Sequence, residues 1–203
     1  MDTNMFTTKR IIAPLLALLL LAAGCSSQRA QVEALGKCHY AVESVRGVRL
    51  GGRTVESLVG TDGVNLTALS GIALALLRKD LPLEARVDMK ITNPNTAKAA
   101  INSFKYLIEI QGKPLVEGTA EENIRLEKGE STVVPLTFRA NIFEATREQG
   151  MEHVLNEIFT KKTDGFLVLK IKPSIKIAGQ NIYYPGYITV DSNLAKKFAD
   201  MGI

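Results

Sequence analysis

From Leu83 to Thr92 apolar and polar residues alternate without a break. Leu83, Ala85, Val87, Met89 and Ile91 fall on one side; Glu84, Arg86, Asp88, Lys90 and Thr92 fall on the other. A period of two predicts a strand with one dry face and one wet face. The alternation runs into Asn93-Pro94-Asn95. Pro94 has no amide hydrogen and fixes its own φ, so the ladder stops there. Asn93 and Asn95 can bond their own backbone and build the turn. The polar side of this strand is expected to face water singly and to converge on nothing.

The same period recurs along the chain. Cys38, Tyr40 and Val42 share a face of a first strand over 38–50, which Gly47 and the Gly51-Gly52 pair bend or end. Phe104, Tyr106, Ile108 and Ile110 alternate, and Gln111-Gly112-Lys113-Pro114 predicts a hairpin turn. Leu115 to Leu126 returns, with Gly118 as a bulge. After the turn Lys128-Gly129-Glu130, the row Val134, Leu136, Phe138 and Ala140 faces inward, and Pro135 assigns that strand to an edge. These three strands are predicted to form a meander. Leu167, Leu169 and Ile171 open a further strand through Pro173, Ala178-Gly179-Gln180-Asn181 is a second hairpin turn, and Ile182 to Val190 closes the set.

Two stretches change period. Leu66, Leu69, Ile72, Ala73, Leu76 and Leu77 recur at three and four, predicting a helix over 65–79 with Asn65 as N-cap and Arg78 and Lys79 at its negative end. It would close one open end of a sandwich or, on a sharper reading, serve as a lid or partner-binding face. Met151, Val154, Leu155, Ile158 and Phe159 predict a second helix near 142–160. A tail over 192–203 carries Leu194, Phe198 and Met201 on one helical face. The sum is an all-β antiparallel sandwich with helices inserted near 65–79 and 142–160.

The first two dozen residues stand outside that pattern. Lys9 and Arg10 precede an apolar run, Ile11 to Leu21, broken only by Pro14; Ala22-Ala23-Gly24 and Cys25 follow. This reads as a signal peptide over 1–24, too short to span a bilayer as a helix. The small-small-Cys ending resembles a bacterial lipobox, although Leu21 stands one position earlier than that pattern's leucine. The resemblance implies cleavage before Cys25 and acylation of that cysteine, hence a membrane partner through a lipid anchor. Ser26 in place of an aspartate implies an outer-membrane location facing the periplasm. Residues 25–36 would then be a polar tether, reaching about 30 Å when extended, before a domain over 37–191. With Cys25 acylated, Cys38 has no partner for a disulfide.

Composition removes several function classes. Formal charge is +4, and cleavage takes Lys9 and Arg10 together with Asp2, leaving +3. So small a surplus spread along the chain is no nucleic-acid patch. With no tryptophan and 6% aromatics, no stacking platform is advertised. The densest aromatic cluster, Tyr183-Tyr184-Pro185-Gly186-Tyr187, reads as a closing strand with Tyr184 in and Tyr183 out; the alternative is a recognition patch. Cys38 and His39 are neighbours in a strand and point apart, as do Glu121 and Glu122. A metal site at Glu152, His153 and Glu157 is conceivable, but a solvated helix face is the plainer reading. No phosphate loop or nucleophile elbow is present, so no catalytic residue, metal or cofactor is expected.

Asn93-Pro94-Asn95 at a strand end, followed by Tyr106-x-Ile108-x-Ile110-x-Gly112, Leu115 and Gly118, resembles the late-embryogenesis-abundant type 2 family, whose domain is also called the WHy domain. The order of hairpin, strand, helix and closing strands agrees. The resemblance covers most of Cys38 to Val190. It implies an immunoglobulin- or fibronectin-like sandwich, an association with stress tolerance and no catalytic residues; Asn93, Pro94 and Asn95 carry over as a structural turn. The 65–79 helix departs from the family pattern, which has a short link there. The expected function is therefore a lipid-anchored, non-enzymatic binding or stress-protection module with an envelope protein or lipid as partner. The alternative is a carrier for an apolar ligand, which requires an apolar cavity of several hundred Å³ between the sheets.

Overall fold

A computed structural model describes residues 30–60, 63–64, 70, 72–161, 163–191 and 193–199. A helix over 30–37 (α1) leads into the strands. The first sheet has the order β2 (Arg53–Thr54), β1 (His39–Leu50), β5 (Pro82–Thr92), β8 (Ser131–Asn141). The second has β10 (Gln180–Tyr183), β9 (Leu167–Ile177), β6 (Ala99–Ile110) and β7 (Lys113–Leu126), with β11 (Ile188–Asp191) also on β9. Every pairing is antiparallel, and a small ribbon of β3 (Val59–Gly60) and β4 (Gly63–Val64) stands apart. The two sheets bury one core: Leu83, Val87, Met89 and Ile91 of β5 share it with Phe104 and Ile108 of β6 and Leu169 and Ile171 of β9. The all-β sandwich with added helices is thus observed.

β5 is the strand its alternation predicts, with all five apolar residues buried. It pairs with β8 from Pro82↔Asn141 to Thr92↔Ser131 without a register shift. A one-residue slip would turn every apolar side chain outward, which fixes the register. Pro135 lies on β8, an edge strand as predicted, where its missing amide breaks no ladder. Both hairpin turns form, with positive φ at Gln111 and Gly112 and at Ala178 and Gly179.

The meander is corrected. β6 and β7 form a hairpin, but β8 pairs with β5 in the other sheet. The turn 127–130 crosses between sheets because it is pinned to Asn93: the Asn93 amide donates to Glu130 O at 2.9 Å, and the Gly129 amide donates to Asn93 O at 2.7 Å. Gly118 is not a bulge either. It pairs in register with Tyr106, and the β6–β7 irregularities lie at Ile101/Ser103 and Ile108/Glu109. The Tyr106 ring occupies the space a Cβ at 118 would need. The closing strand is interrupted at 184–187, giving β10 and β11. Tyr183 and Tyr184 are both half-buried rather than split between faces.

The helices are shorter than their patterns. The 142–160 region is α3 (Phe143–Gln149), a break at Gly150 with φ 89°, α4 (Met151–Asn156) and a π-helical turn (Glu157–Lys161). Its stripe is buried at Val154, Leu155, Ile158 and Phe159. Of the 65–79 helix, α2 (Ala73–Leu77) is seen; Asn65, Leu66 and Leu69 lie outside the described residues. Ile72 is buried as predicted, but Leu77 is 82% exposed and Leu74 58%, so this face is not plain core. The tether is corrected over 30–35: those residues are helical, and Leu35 is buried in the core with Val32 packed beside it. A final helix, α5 (Leu194–Ala199), buries Leu194 and Phe198, and the Phe198 ring meets Phe159 edge-on at 6.2 Å. Met201 lies outside the described residues.

Candidate functional site

The strands run between two ends, and the chemistry divides between them. At the first end stands the corner Asn93-Pro94-Asn95. Asn93 is fully buried. Its Nδ2 donates to Ala97 O (2.9 Å), Leu126 O (3.1 Å) and Glu127 O (3.2 Å). Its Oδ1 accepts from the Asn95 amide at 3.0 Å and from Asn95 Nδ2 at 2.9 Å. The turn predicted from local bonds is there, and the same side chain also ties together both sheet crossings.

The leading helix docks on this corner. Helices leave their last carbonyls without intrahelical partners, and here side chains supply them. Asn95 Nδ2 donates to Ala34 O at 3.2 Å, and Tyr40 Oη donates to Leu35 O at 2.8 Å. The Cys38 thiol also donates to Ala34 O, at 3.6 Å. Cys38 is buried in the bend between α1 and β1 rather than in the strand itself, and His39, the first residue of β1, points outward. Burial pushes the Cys38 thiol up, against a smaller opposing pull from Tyr40. Burial likewise pushes the Tyr40 phenol up, with Cys38 and Tyr184 adding to the shift. A thiol held protonated is a poor nucleophile. Cys25, the predicted lipid-attachment residue, lies outside the described residues.

At the opposite end, α2 borders an open groove of about 350 Å³. Ile72, Leu74, Ala75 and Pro82 give it apolar walls, and Arg78, Asp80, Glu84 and Arg139 a charged rim. Arg139 bridges Asp80 at 3.3 Å and Glu84 at 3.0 Å. Such a surface can hold an apolar segment against a polar margin; it brings no nucleophile and base together. Periodicity located the helix, but the groove depends on Gly51 and Gly52 meeting it from β1's far end, a contact with no sequence signal.

Two polar clusters were missed. Asp88 does not face water singly: it is 3% exposed and accepts from Ser44 Oγ at 2.9 Å, from Arg86 Nε at 3.1 Å and from Arg46. Burial alone would raise its pKa, but the hydrogen bonds from Arg86, Ser44 and Arg46, with the Arg46 charge, outweigh burial and hold it below the usual carboxylate range. On the second sheet, Ser103 and Ser174 are buried and share a hydrogen bond at 2.8 Å, with Tyr183 Oη 3.3 Å from Ser103 Oγ and Lys105 Nζ 5.1 Å from the Tyr183 ring centre. Cross-strand register alone brings Ser103 to Ser174. His153 is exposed and meets Phe166 edge-on at 6.4 Å, and no group of three metal-type ligands is found among the described residues. No helix among them is long and apolar enough to cross a membrane.

Residues 88–179 match the LEA_2 family, described as late embryogenesis abundant protein. The LEA_2 match begins within β5 and takes in the Asn93 corner, β6, β7, β8 and β9. It supports the type 2 assignment on the same stretch that carries the corner and the Tyr106–Gly118 contact. Two solved structures are similar over more of the chain. One is the crystal structure of a protein from Archaeoglobus fulgidus, 20% identical with a TM-score of 0.37, covering 75% of this chain and 94% of that one. The other is the solution structure of a candidate late embryogenesis abundant protein, 15% identical with a TM-score of 0.35, covering 87% of this chain and 88% of that one. Among curated proteins there is no match.

Proposed function

We propose that the chain is a non-enzymatic binding module of the LEA type 2 (WHy) kind, lipid-anchored through Cys25 in a bacterial envelope, at the outer membrane facing the periplasm. The observation that carries the binding role is the α2 end: Leu74 and Leu77 stand exposed beside the apolar wall of the groove. Exposed leucines grouped on one element mark contact surfaces more often than isolated ones do. The partner is an apolar segment of an envelope protein, and the resemblance to the family is what supports a stress-protective role. Replacing Leu74 and Leu77 together by Asp tests this. Crosslinking of the full chain to envelope proteins should fall several-fold while the melting temperature holds, since exposed side chains carry little core energy. Undiminished crosslinking rejects the α2 surface.

A second reading is carriage of an apolar ligand on this groove: about 350 Å³ lies within the range of small-ligand sites, but the space opens at the α2 end with a charged rim and is not the apolar cavity between the sheets that a carrier was expected to have. Native mass spectrometry separates the two: a co-purified lipid that the Leu74/Leu77 variant loses supports carriage. Substituting Cys25→Ser should release the protein from the membrane fraction after signal removal by another route; retention there counts against the lipid anchor.

A further inference from the structure

Both ends of the sandwich carry exposed cations, and the chain enters at only one of them. At the groove end Arg139 is matched by Asp80 and Glu84, Lys113 by Glu148 at 2.9 Å and Arg147 by Glu144 at 2.6 Å, while Arg49, Arg53, Arg78 and Lys79 are exposed as well. At the entering end Lys37, Lys98, Arg125, Lys128 and Lys176 are all exposed. The acids among them are Glu33, Glu127 and Glu130. Glu127 is held by Lys98 at 2.6 Å, and the exposed Glu130 accepts the Glu127 amide at 2.8 Å. Hydrogen bonds through Asn93 and Asn95 place α1, the 93–98 crossing and the 127–130 turn at this one end. Lys176 joins them because β9 ends beside the start of β6.

Resting on the anchored reading, we infer that this end is a docking surface for an anionic lipid bilayer. Only residues 26–29 lie between Cys25 and the described helix. A helix rises about 1.5 Å per residue, so Lys37 stands at most about 30 Å from the attachment point, against about 40 Å for an extended chain. Val32 and Leu35 pack α1 onto the sandwich, which fixes the direction from which the chain arrives. Each Lys or Arg near an anionic surface contributes about 1 kcal/mol. Attachment raises the local concentration enough for such weak terms to act together. The result is a domain seated on its entering end, with the α2 groove turned away from the lipid.

The test is amine footprinting of the full chain in nanodiscs of phosphatidylglycerol and of phosphatidylcholine, read by mass spectrometry. In phosphatidylglycerol, acylation of Lys37, Lys98, Lys128 and Lys176 should fall by about threefold relative to phosphatidylcholine, while Lys79 and Lys113 label equally in both. Equal labelling of the entering-end lysines in the two lipids, with protein still on the discs, overturns docking and leaves the anchor standing. Protein that fails to stay on discs of either lipid overturns the anchor and docking together.

Discussion

Asn93 shows how one side chain can set a topology. Its amide group holds three carbonyls, two of them more than thirty residues away in sequence. Asn93→Asp would replace both donor hydrogens with a carboxylate facing those carbonyls. The expected loss exceeds about 3 kcal/mol, since a buried carboxylate whose second oxygen faces three carbonyls, with donors only on the Asn95 side, adds to the unmet carbonyls. Asn93→Ala should cost about 2 kcal/mol. Asn95→Ala, which frees only the Ala34 carbonyl and one contact to Asn93, should cost about 1 kcal/mol. Urea denaturation in that rank order supports the account; equal effects would reduce the corner to an ordinary turn. Asp88 makes a separate prediction in pH. Its folded pKa is depressed, so its contribution is present above the unfolded value, about 3.9, and disappears as pH falls through the lower folded value. Asp88→Asn also leaves Arg46 and Arg86, cross-strand partners, facing each other without a counter-ion. The variant should therefore be less stable than the parent at pH 7, and the gap should narrow toward pH 2 in matched urea titrations.

Among the elements, β5 was legible because burial on one face alone produces alternation, and Pro135 named an edge because a missing amide tells which side lacks a neighbour. Which sheet each strand joined was not legible. The turn 127–130 has the composition of a hairpin, yet Asn93 captures it and sends β8 to β5. Asp88 was misread for a related reason: a polar residue on the wet face looks solvated until the register sets Ser44 and Arg46 beside it. Gly118 was rightly marked as special, for the wrong cause. Its partner Tyr106 covers it across the strands, so the missing side chain is replaced by a ring. Gly118→Ala should therefore destabilise by about 1 kcal/mol, since the ring must move. In a Tyr106→Ala background the same change should instead stabilise by a few tenths to about 1 kcal/mol, because alanine restricts the unfolded chain. A double-mutant cycle from denaturation curves checks the change of sign. The same sign in both backgrounds would remove the ring from the explanation.

For the whole molecule the decisive fact is that chain entry and groove lie at opposite ends. β5 runs the length between them, and eleven strand residues at about 3.3 Å each span roughly 35 Å. An extended tether would let the groove swing toward or away from the membrane. On the anchored reading, a helix fastened to the domain through Ala34 and Leu35 would hold it upright instead. Among the described residues Leu77 is the most exposed large hydrophobic side chain and stands at the far end, so Leu77→Cys accepts a fluorophore without disturbing the core. Cys38 does not compete for the label, because burial keeps its thiol protonated and covered. With the full chain on vesicles carrying an acceptor lipid, energy transfer from position 77 should report a height of at least about 35 Å, and Tyr40→Phe should broaden that distribution by loosening α1 at a cost near 1 kcal/mol. A donor that reads within about 20 Å of the headgroups would place the groove against the membrane and reverse the orientation drawn from the strand length.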